Sequence, residues 1–286
     1  MRYFFGIYGY EITRAIQVGP FLLYPRASSS TEAQTLAADG QRFNLTAIGE
    51  IIGTYDPQAL FDLSGAFTFC QQQWVEVTRP VEKPGDTTPD QMLGEIAPQL
   101  DLPHERPTVG PLLMRDSFSE NSRRDFLDIC LRKLSDSAFE AMTGFRGAFF
   151  RSVESWRLPR PFLDVTYYMD FSALEILART SASDFSSRSI AEMAAPFLQK
   201  HGFDIQQDNL RSRERGVQTY AHLRNALFHK GTFVKTFPEN GEMITLNLSI
   251  YESYLRRLVP DVLLRVLGYD DDHINWSRWL DRQPFQ

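Results

Sequence analysis

The stretch from Arg224 to His229 carries an arginine, an asparagine and a histidine within a segment that otherwise has the pattern of a helix. Histidine exchanges protons near neutral pH, and arginine offers a fixed fork of donors to phosphate oxygens. Cutting RNA without a metal ion requires deprotonation of the ribose 2′-hydroxyl, stabilisation of a pentacoordinate phosphorus and protonation of the leaving 5′-oxygen. Arg224, Asn225 and His229 are therefore candidate catalytic residues for this chemistry, and a solvated helix edge is the alternative.

Helical geometry limits how these side chains can meet. On a regular helix Asn225 and His229 lie on nearly one face, whereas Arg224 and His229 are separated by about 140° around the axis. Arginine and histidine can reach one substrate if His229 lies in a fraying last turn, or if two copies of the helix face each other across a dimer axis. Gly231 favours the first arrangement, because glycine ends helices in the left-handed conformation, and a two-fold dimer favours the second.

Residues 224 to 229, RNALFH, resemble the signature of the HEPN superfamily, which is an arginine, a polar residue and a histidine after four to six intervening residues. Arg224 and His229 match the defining positions, and Asn225 matches the polar one. The resemblance implies a helical bundle that dimerises around one composite cleft, and metal-independent endoribonuclease activity of the kind found in toxins, antiviral defence and RNA-guided effectors. It covers about residues 115 to 270 and leaves the first domain unexplained.

Other polar residues are candidates to support this site. Glu175, in the apolar segment FSALEIL, is expected either to anchor Arg224 or hold the imidazole, or to form an i, i+4 pair with Arg179. Four basic residues around the motif are candidates for RNA binding, with a solvated helix face as the alternative. They are Arg211, Arg213, Arg215 and Lys230.

The composition restricts the class of protein. The chain has 286 residues and a formal charge of -6, which argues against coating nucleic acid through bulk electrostatics. Two isolated cysteines indicate neither a disulfide framework nor a cysteine zinc site. The acidic run from Asp270 to His273 is expected to be a solvated turn, and we predict no metal and no cofactor. No segment approaches the roughly 18 apolar residues of a spanning helix, so we expect a cytoplasmic protein without membrane contact.

Three regions with different patterns follow one another along the chain. Residues 1–79 predict a small mixed α/β domain, with a short capped helix where Ser29, Ser30 and Thr31 precede residues 32–38 and another starting at Asp56-Pro57. Residues 80–114 hold seven of the sixteen prolines and predict a linker. Residues 115–286 predict an all-α bundle of about five helices. The expected fold class is therefore α+β, with a HEPN-like helical bundle after the mixed domain.

Within the expected bundle, residues 120 to 157 carry a sustained apolar stripe that predicts one long helix, with Gly144 and Gly147 as sites of kinking. Residues 164 to 180 are apolar almost all round and predict a central helix. A shorter helix is expected over 188–200, the motif helix over 213–230, a hairpin around 238–241 and a final helix over 247–267.

These observations lead to one main hypothesis and two alternatives. The main hypothesis is a homodimeric, metal-independent endoribonuclease that cuts RNA and acts as a toxin or antiviral-defence effector. Its first domain would sense, target or restrain the ribonuclease. Whether a regulatory partner protein controls the activity is left open. The first alternative is a non-catalytic dimerisation or adaptor module whose cleft binds a nucleotide or a partner protein. The second is a metal-dependent nuclease that uses the acidic tail and is inhibited by chelators.

Overall fold

The computed structural model of the chain describes residues 1–101, 113–158, 162–186, 189–283 and 285. Its backbone contacts divide the chain into two compact units. The first unit takes Met1–Ser135 and the stretch that begins at Trp156, and the second takes Asp136–Ser155 and the described residues from Phe162 onward. The predicted α+β class is confirmed, since an antiparallel sheet occupies the first unit and helices predominate in the second.

An antiparallel sheet forms the centre of the first unit. Its strands are β1 Arg2–Tyr8, β2 Ile16–Val18, β3 Phe21–Pro25, β4 Phe43–Ile51, β5 Glu76–Val77, β6 Val81–Lys83 and β7 Gln99–Leu100. Their order is β2-β3-β4-β1-β5, with β6 on β1 and β7 on β4. Phe4 and Tyr8 from β1 and Phe43 and Ile48 from β4 are fully buried in one cluster, so this strand pair carries much of the core.

Helices accompany this sheet, and two of them begin as their sequence signals predict. They are α1 Ser30–Ala38, α2 Pro57–Gln71, α3 Pro89–Glu95 and α4 Ser122–Leu134. The Ser29 hydroxyl accepts a hydrogen bond from the Glu32 N–H at the start of α1. The Asp56 carboxylate accepts one from the Gln58 N–H, 2.9 Å away, at the start of α2. Both predicted helix starts are confirmed, because side-chain acceptors satisfy N–H groups that have no partner inside the helix.

Helices dominate the second unit. They are α5 Ser137–Thr143, α6 Phe145–Arg157, α7 Leu163–Ala182, α8 Ile190–Lys200, α9 Val217–Lys230, α10 Leu248–Leu267 and α11 Arg278–Asp281, with a 3₁₀ turn at Arg213–Arg215. The last residues of α6, from Trp156, belong to the first unit. α7 packs against α5, α8, α9 and α10, which confirms the prediction of a central helix. It leaves Val165 and Tyr168 exposed near its start, so it is not buried all round.

A β-hairpin joins α9 to α10. β8 Val234–Glu239 pairs with β9 Glu242–Asn247 through a two-residue turn in which both Asn240 (φ 50°) and Gly241 (φ 84°) are left-handed. Such turns match the twist of paired strands and favour this dipeptide, so the predicted hairpin is confirmed. Asn247 ends β9 and also caps α10 by accepting the Ser249 N–H at 3.1 Å.

The proline-rich segment differs from the linker that its composition predicts. Within residues 80–101 it forms β6, α3 and β7, and both strands pair with the central sheet. Pro89 occupies the first turn of α3, where a helix needs no N–H, and the Pro98 carbonyl accepts the Leu45 N–H at 3.0 Å. Pro89 therefore costs α3 no backbone hydrogen bond, and the Pro98 carbonyl takes part in the contacts of the sheet. Residues 102–112 of the expected linker lie outside the described residues.

The prediction of one long helix over residues 120 to 157 is wrong. The segment forms α4, α5 and α6, with breaks at Asp136 and Gly144. The Asp136 carboxylate caps α5 by accepting the Ala138 and Phe139 N–H groups, both at 3.0 Å, and Gly144 ends α5 with φ 65°. α4 packs against α2 through stacked Phe69 and Phe126 rings and belongs to the first unit, so the boundary between the units falls at Ser135 instead of near residue 114.

A buried carboxyl on α7 makes the stability of the second unit depend on pH. Burial raises the pKa of Asp170 to about 7. The positive charge of Arg256 lowers this pKa, and the negative charge of Glu252 on α10 raises it further. Since this folded-state pKa exceeds the unfolded one, the stabilising contribution is present at low pH. The contribution of Asp170 to the free energy of unfolding is lost as the pH rises from about 4 to about 7, and its largest possible size is on the order of 4 kcal/mol.

We expect Asp170→Asn to raise the free energy of unfolding at pH 8 by about 1–3 kcal/mol, because the amide removes a charge from an apolar site. Urea unfolding between pH 5 and 8 measures the effect. Asp164→Asn, an exposed acid on the same helix, is the matched control and is expected to change stability by less than about 0.5 kcal/mol. Equal pH dependence in wild type and Asp170→Asn would contradict the assignment.

Candidate active site

The motif helix α9 ends as its sequence predicts. It is helical from Val217 through Lys230, and Gly231 terminates it with φ 62°. The Gly231 N–H donates to the Leu227 carbonyl at 2.9 Å, and the Thr232 N–H donates to the Ala226 carbonyl at 3.3 Å. These bonds satisfy carbonyls of the last turn, so the predicted left-handed glycine terminator is confirmed.

Arg224 is half-buried and is held from several sides. Its Nη1 donates to the Asn225 side-chain oxygen at 3.1 Å, and its Nη2 lies 3.9 Å from a Glu175 carboxylate oxygen. The guanidinium carbon lies 6.0 Å from the centre of the Phe171 ring and 5.3 Å from that of Phe228. Contacts of this kind restrict the side chain to few rotamers, so the cation is positioned before any ligand arrives.

Glu175 lies between two arginines, which combines two of the roles expected for it. It forms the i, i+4 pair with Arg179, where Nε and Oε1 are 2.8 Å apart, and its other carboxylate oxygen faces Arg224. Its side chain is 23% exposed, so both interactions are only partly screened by water. The structure gives Glu175 no contact with His229 among the described residues, and the carboxylate therefore orients the arginine rather than the imidazole.

His229 lies in the last turn of α9 with its side chain exposed. Across the part of the chain that the structure describes, the imidazole makes no hydrogen bond or ion pair. Because the helix is regular through Lys230, the fraying that would turn His229 towards Arg224 is not observed. The two side chains of one copy thus diverge by about 140° around the axis. Convergence on one phosphate therefore requires a second copy of the helix.

An apolar groove borders the end of α9. Tyr168 and Phe228 are 44% and 46% exposed, and their ring centres are 4.7 Å apart. The groove has a volume of about 380 Å³. It is lined by Asp164, Val165, Tyr168, Leu227, Phe228, Gly231 and Phe233. The sequence reasoning missed this groove, although two phenylalanines that flank the histidine at non-core positions were a readable signal.

The four predicted RNA-binding residues divide into two pairs. Arg213 forms an ion pair with Glu239 of β8, and Arg215 forms one with Asp204. Arg211 and Lys230 are exposed. His222, on the same helix, packs against Phe237 with ring centres 4.5 Å apart and the ring planes tilted by 32°, so the hairpin covers that side of α9. The positive charge available to a phosphate backbone is therefore smaller than the sequence suggests.

The acidic run near the C-terminus forms a turn held by its own hydrogen bonds. Asp270 accepts the Asp272 N–H and the Trp276 indole N–H, both at 3.1 Å, and Asp271 accepts the His273 N–H at the same distance. Within the described ranges, no three or more His, Cys, Asp or Glu side chains are grouped so as to hold a metal ion. Nor does any described helix combine the length and apolar character needed to span a membrane.

No family model, curated protein or solved structure matches the chain. The resemblance of residues 224–229 to the HEPN signature therefore depends on the motif and on its position in a helical unit.

Proposed function

We propose that the protein is a metal-independent endoribonuclease whose catalytic residues are Arg224, Asn225 and His229. The observation that carries the proposal is the placement of Arg224. Its guanidinium is oriented by Glu175 and Asn225 and flanked by two aromatic rings, within the same helix end that presents an exposed histidine. A positioned cation and an accessible imidazole are the two groups that cleavage of a phosphodiester requires, and in this proposal a facing copy of the helix brings them together.

The proposed reaction needs no external co-reactant. The ribose 2′-oxygen attacks phosphorus while one His229 accepts its proton, and the bond from phosphorus to the 5′-oxygen breaks. A second imidazolium donates a proton to that oxygen, so the products are a 2′,3′-cyclic phosphate and a 5′-hydroxyl. Arg224 binds the non-bridging oxygens as negative charge grows in the transition state, and Asn225 keeps the guanidinium oriented.

A homodimer supplies the second histidine in this proposal. Arg224 and His229 of one copy diverge around α9, so a composite cleft needs the facing helix of a partner copy. The exposed apolar groove beside His229 supports such an interface, because burial of Tyr168 and Phe228 would remove aromatic surface from water. Two α9 helices related by a two-fold axis would each contribute an arginine and a histidine.

The biological setting is proposed from the HEPN resemblance alone. The second unit would act as a toxin or antiviral-defence effector on RNA, and the first unit would sense, target or restrain it. A regulatory partner protein is a further element of this proposal. The basic residues Arg211 and Lys230 are exposed and would contact the RNA backbone, whereas Arg213 and Arg215 would first have to leave their carboxylate partners.

The test is incubation of purified full-length protein with tRNA and mixed-sequence single-stranded RNA in the presence of a chelator. We expect cleavage that leaves a cyclic phosphate on one fragment and a 5′-hydroxyl on the other. Treatment with acid, which opens the cyclic phosphate, identifies the first end, and a kinase that modifies only 5′-hydroxyl ends identifies the second. Single-stranded DNA of the same sequence is the control, because it lacks the attacking 2′-hydroxyl. Cleavage of DNA at the same rate, or loss of activity in chelator, would overturn the proposal.

The apolar groove also favours a second candidate function. A surface of exposed tyrosine, phenylalanine and valine side chains next to a half-buried arginine suits a dimerisation or adaptor module that binds a partner protein. This candidate predicts dimers, or capture of a protein, without cleavage of any RNA. Dimerisation alone does not separate the candidates, so the chemistry of RNA ends decides between them.

A further inference from the structure

A second cavity lies wholly within the first unit. It has a volume of about 330 Å³, which falls in the range of small-molecule sites of roughly 300–1,000 Å³. It is formed by the start of α2 and by β5 with the residues that follow this strand. The side chains that determine its chemistry are Phe61, Ser64, Trp74, Glu76, Arg79 and Arg157.

Glu76 places a carboxylate in the wall of this cavity. Its Oε2 accepts a hydrogen bond from the Trp74 indole N–H at 3.0 Å, and among the described residues its Oε1 accepts none. Burial raises the pKa of Glu76, while the Trp74 hydrogen bond and the positive charge of Arg157 oppose that shift. The carboxylate is thus partly desolvated and retains acceptor capacity, a condition that favours a ligand with N–H donors.

Two arginines line the same cavity. Arg157 Nη2 donates to the Ser64 hydroxyl at 2.9 Å, and its guanidinium carbon lies 5.8 Å from the centre of the Phe61 ring. Arg79 is exposed at the rim. Two cations against one carboxylate leave the cavity with a net positive charge, which favours a ligand that also carries an anionic group.

Aromatic rings supply the remaining surface. The Trp74 ring is fixed by an edge contact with Phe43, at 5.1 Å between ring centres, and by its hydrogen bond to Glu76. Phe61 is 46% exposed although it lies on a helix whose other large apolar residues are buried. An exposed ring under a guanidinium stabilises little in the free protein, whereas it would stack on a planar ligand.

We propose that this cavity binds a guanine nucleotide. The guanine edge carries an N–H and an amino group side by side, and both would donate to the Glu76 carboxylate. The purine ring would pack on Phe61 and Trp74, and the phosphate oxygens would accept from Arg79 and Arg157. This inference stands on the first unit alone and does not depend on the ribonuclease proposal.

Isothermal titration of the full-length protein with GMP tests the proposal, and quenching of tryptophan fluorescence that is absent in Trp74→Phe is a second readout. We expect GMP to bind, and IMP, which lacks the amino donor, to bind about 10-fold more weakly, since a carboxylate lone pair is left unsatisfied. Guanosine, without the phosphate, is expected to bind about 10-fold more weakly as well. AMP is expected not to compete.

Variants assign the contacts. Glu76→Gln keeps the shape of the side chain and should weaken GMP binding about 10-fold, because one acceptor becomes a donor. Arg79→Ala should weaken it about 5-fold, whereas Arg42→Ala, an exposed arginine outside the cavity, should leave it unchanged. Phe61→Ala removes only a half-exposed ring and provides a variant that keeps its fold. No binding of GMP at millimolar concentration, equal affinity for AMP, or unchanged affinity in Glu76→Gln would each overturn the proposal.

Discussion

His229→Ala is expected to lower the rate of RNA cleavage by about 10²–10⁴-fold, the range that a general acid or base contributes. The fold should be unchanged, because the imidazole is exposed and makes no hydrogen bond to the rest of the described chain. Cleavage is measured under single-turnover conditions with labelled single-stranded RNA in chelator. Circular dichroism and thermal unfolding establish that the variant keeps its helices.

His273→Ala is the matched control for this variant. His273 is also partly accessible, but it lies in the acidic turn, where its Nδ1 is 2.9 Å from the Asp271 carbonyl oxygen. If Arg224 and His229 carry the reaction, His273→Ala should cleave RNA at the wild-type rate. A nuclease that used the acidic turn would show the opposite result, with loss in His273→Ala and full activity in His229→Ala.

A mixed dimer tests whether the cleft is shared between two copies. Arg224→Ala and His229→Ala are each expected to be inactive as homodimers. Co-expressed with different tags and purified as a heterodimer, they place one intact arginine and one intact histidine in opposite chains. Partial recovery relative to either parent is expected, because an arginine and a histidine of opposite chains meet in the cleft, while the second histidine of the proposed reaction is still missing. A heterodimer as inactive as its parents would rule out sharing across the interface.

A large loss of stability is expected when a buried ion pair in the first unit is broken. Arg123 of α4 donates from Nη1 to the Glu11 carbonyl at 2.6 Å and from Nη2 to the Glu11 carboxylate at 2.9 Å. Its side chain is 4% exposed, and that of Glu11 is 12% exposed. Arg123→Met should destabilise this unit by about 3–5 kcal/mol, because it leaves a carboxylate desolvated and unpaired.

Arg14→Met provides the comparison for that result. Arg14 also pairs with a carboxylate, that of Glu120 at 3.1 Å, but both side chains are largely exposed. Its replacement should cost less than about 1 kcal/mol. Urea unfolding gives the size of both effects, and amide hydrogen exchange in β1 and β4 assigns them to the first unit. Equal losses in the two variants would mean that burial adds nothing to the Arg123 pair.

Local signals explain which elements the sequence predicts correctly. Asp56-Pro57, Gly231 and the Asn240-Gly241 turn act through the backbone of adjacent residues, so a helix start, a helix end and a hairpin can be predicted without the rest of the fold. Asp136 was also a readable N-cap. The apolar stripe continues across it, so the hydrophobic pattern alone predicts one helix where the structure has a break.

Long-range pairing explains what the sequence did not reveal. The strands β6 and β7 are too short to show a periodic pattern, and they form because β1 and β4 offer unpaired backbone groups. The partners of Arg213 and Arg215 are 26 and 11 residues away, so the neutralisation of these cations was not visible in a charge run. For the candidate site, the residue types and the neighbouring Phe228 were readable, but the position of Phe171 of α7 beside Arg224 was not.

The hairpin between α9 and α10 has a mechanical consequence. Two residues separate Gly231 from β8, and Asn247 both ends β9 and caps α10. The Leu248 N–H closes the open end of the hairpin by donating to the Phe233 carbonyl at 2.8 Å. The connections at both ends of the hairpin are short and hydrogen-bonded. The end of α9 and the first turn of α10 are therefore tied at a short distance, and we expect a displacement of the start of α10 to shift the helix end that carries His229.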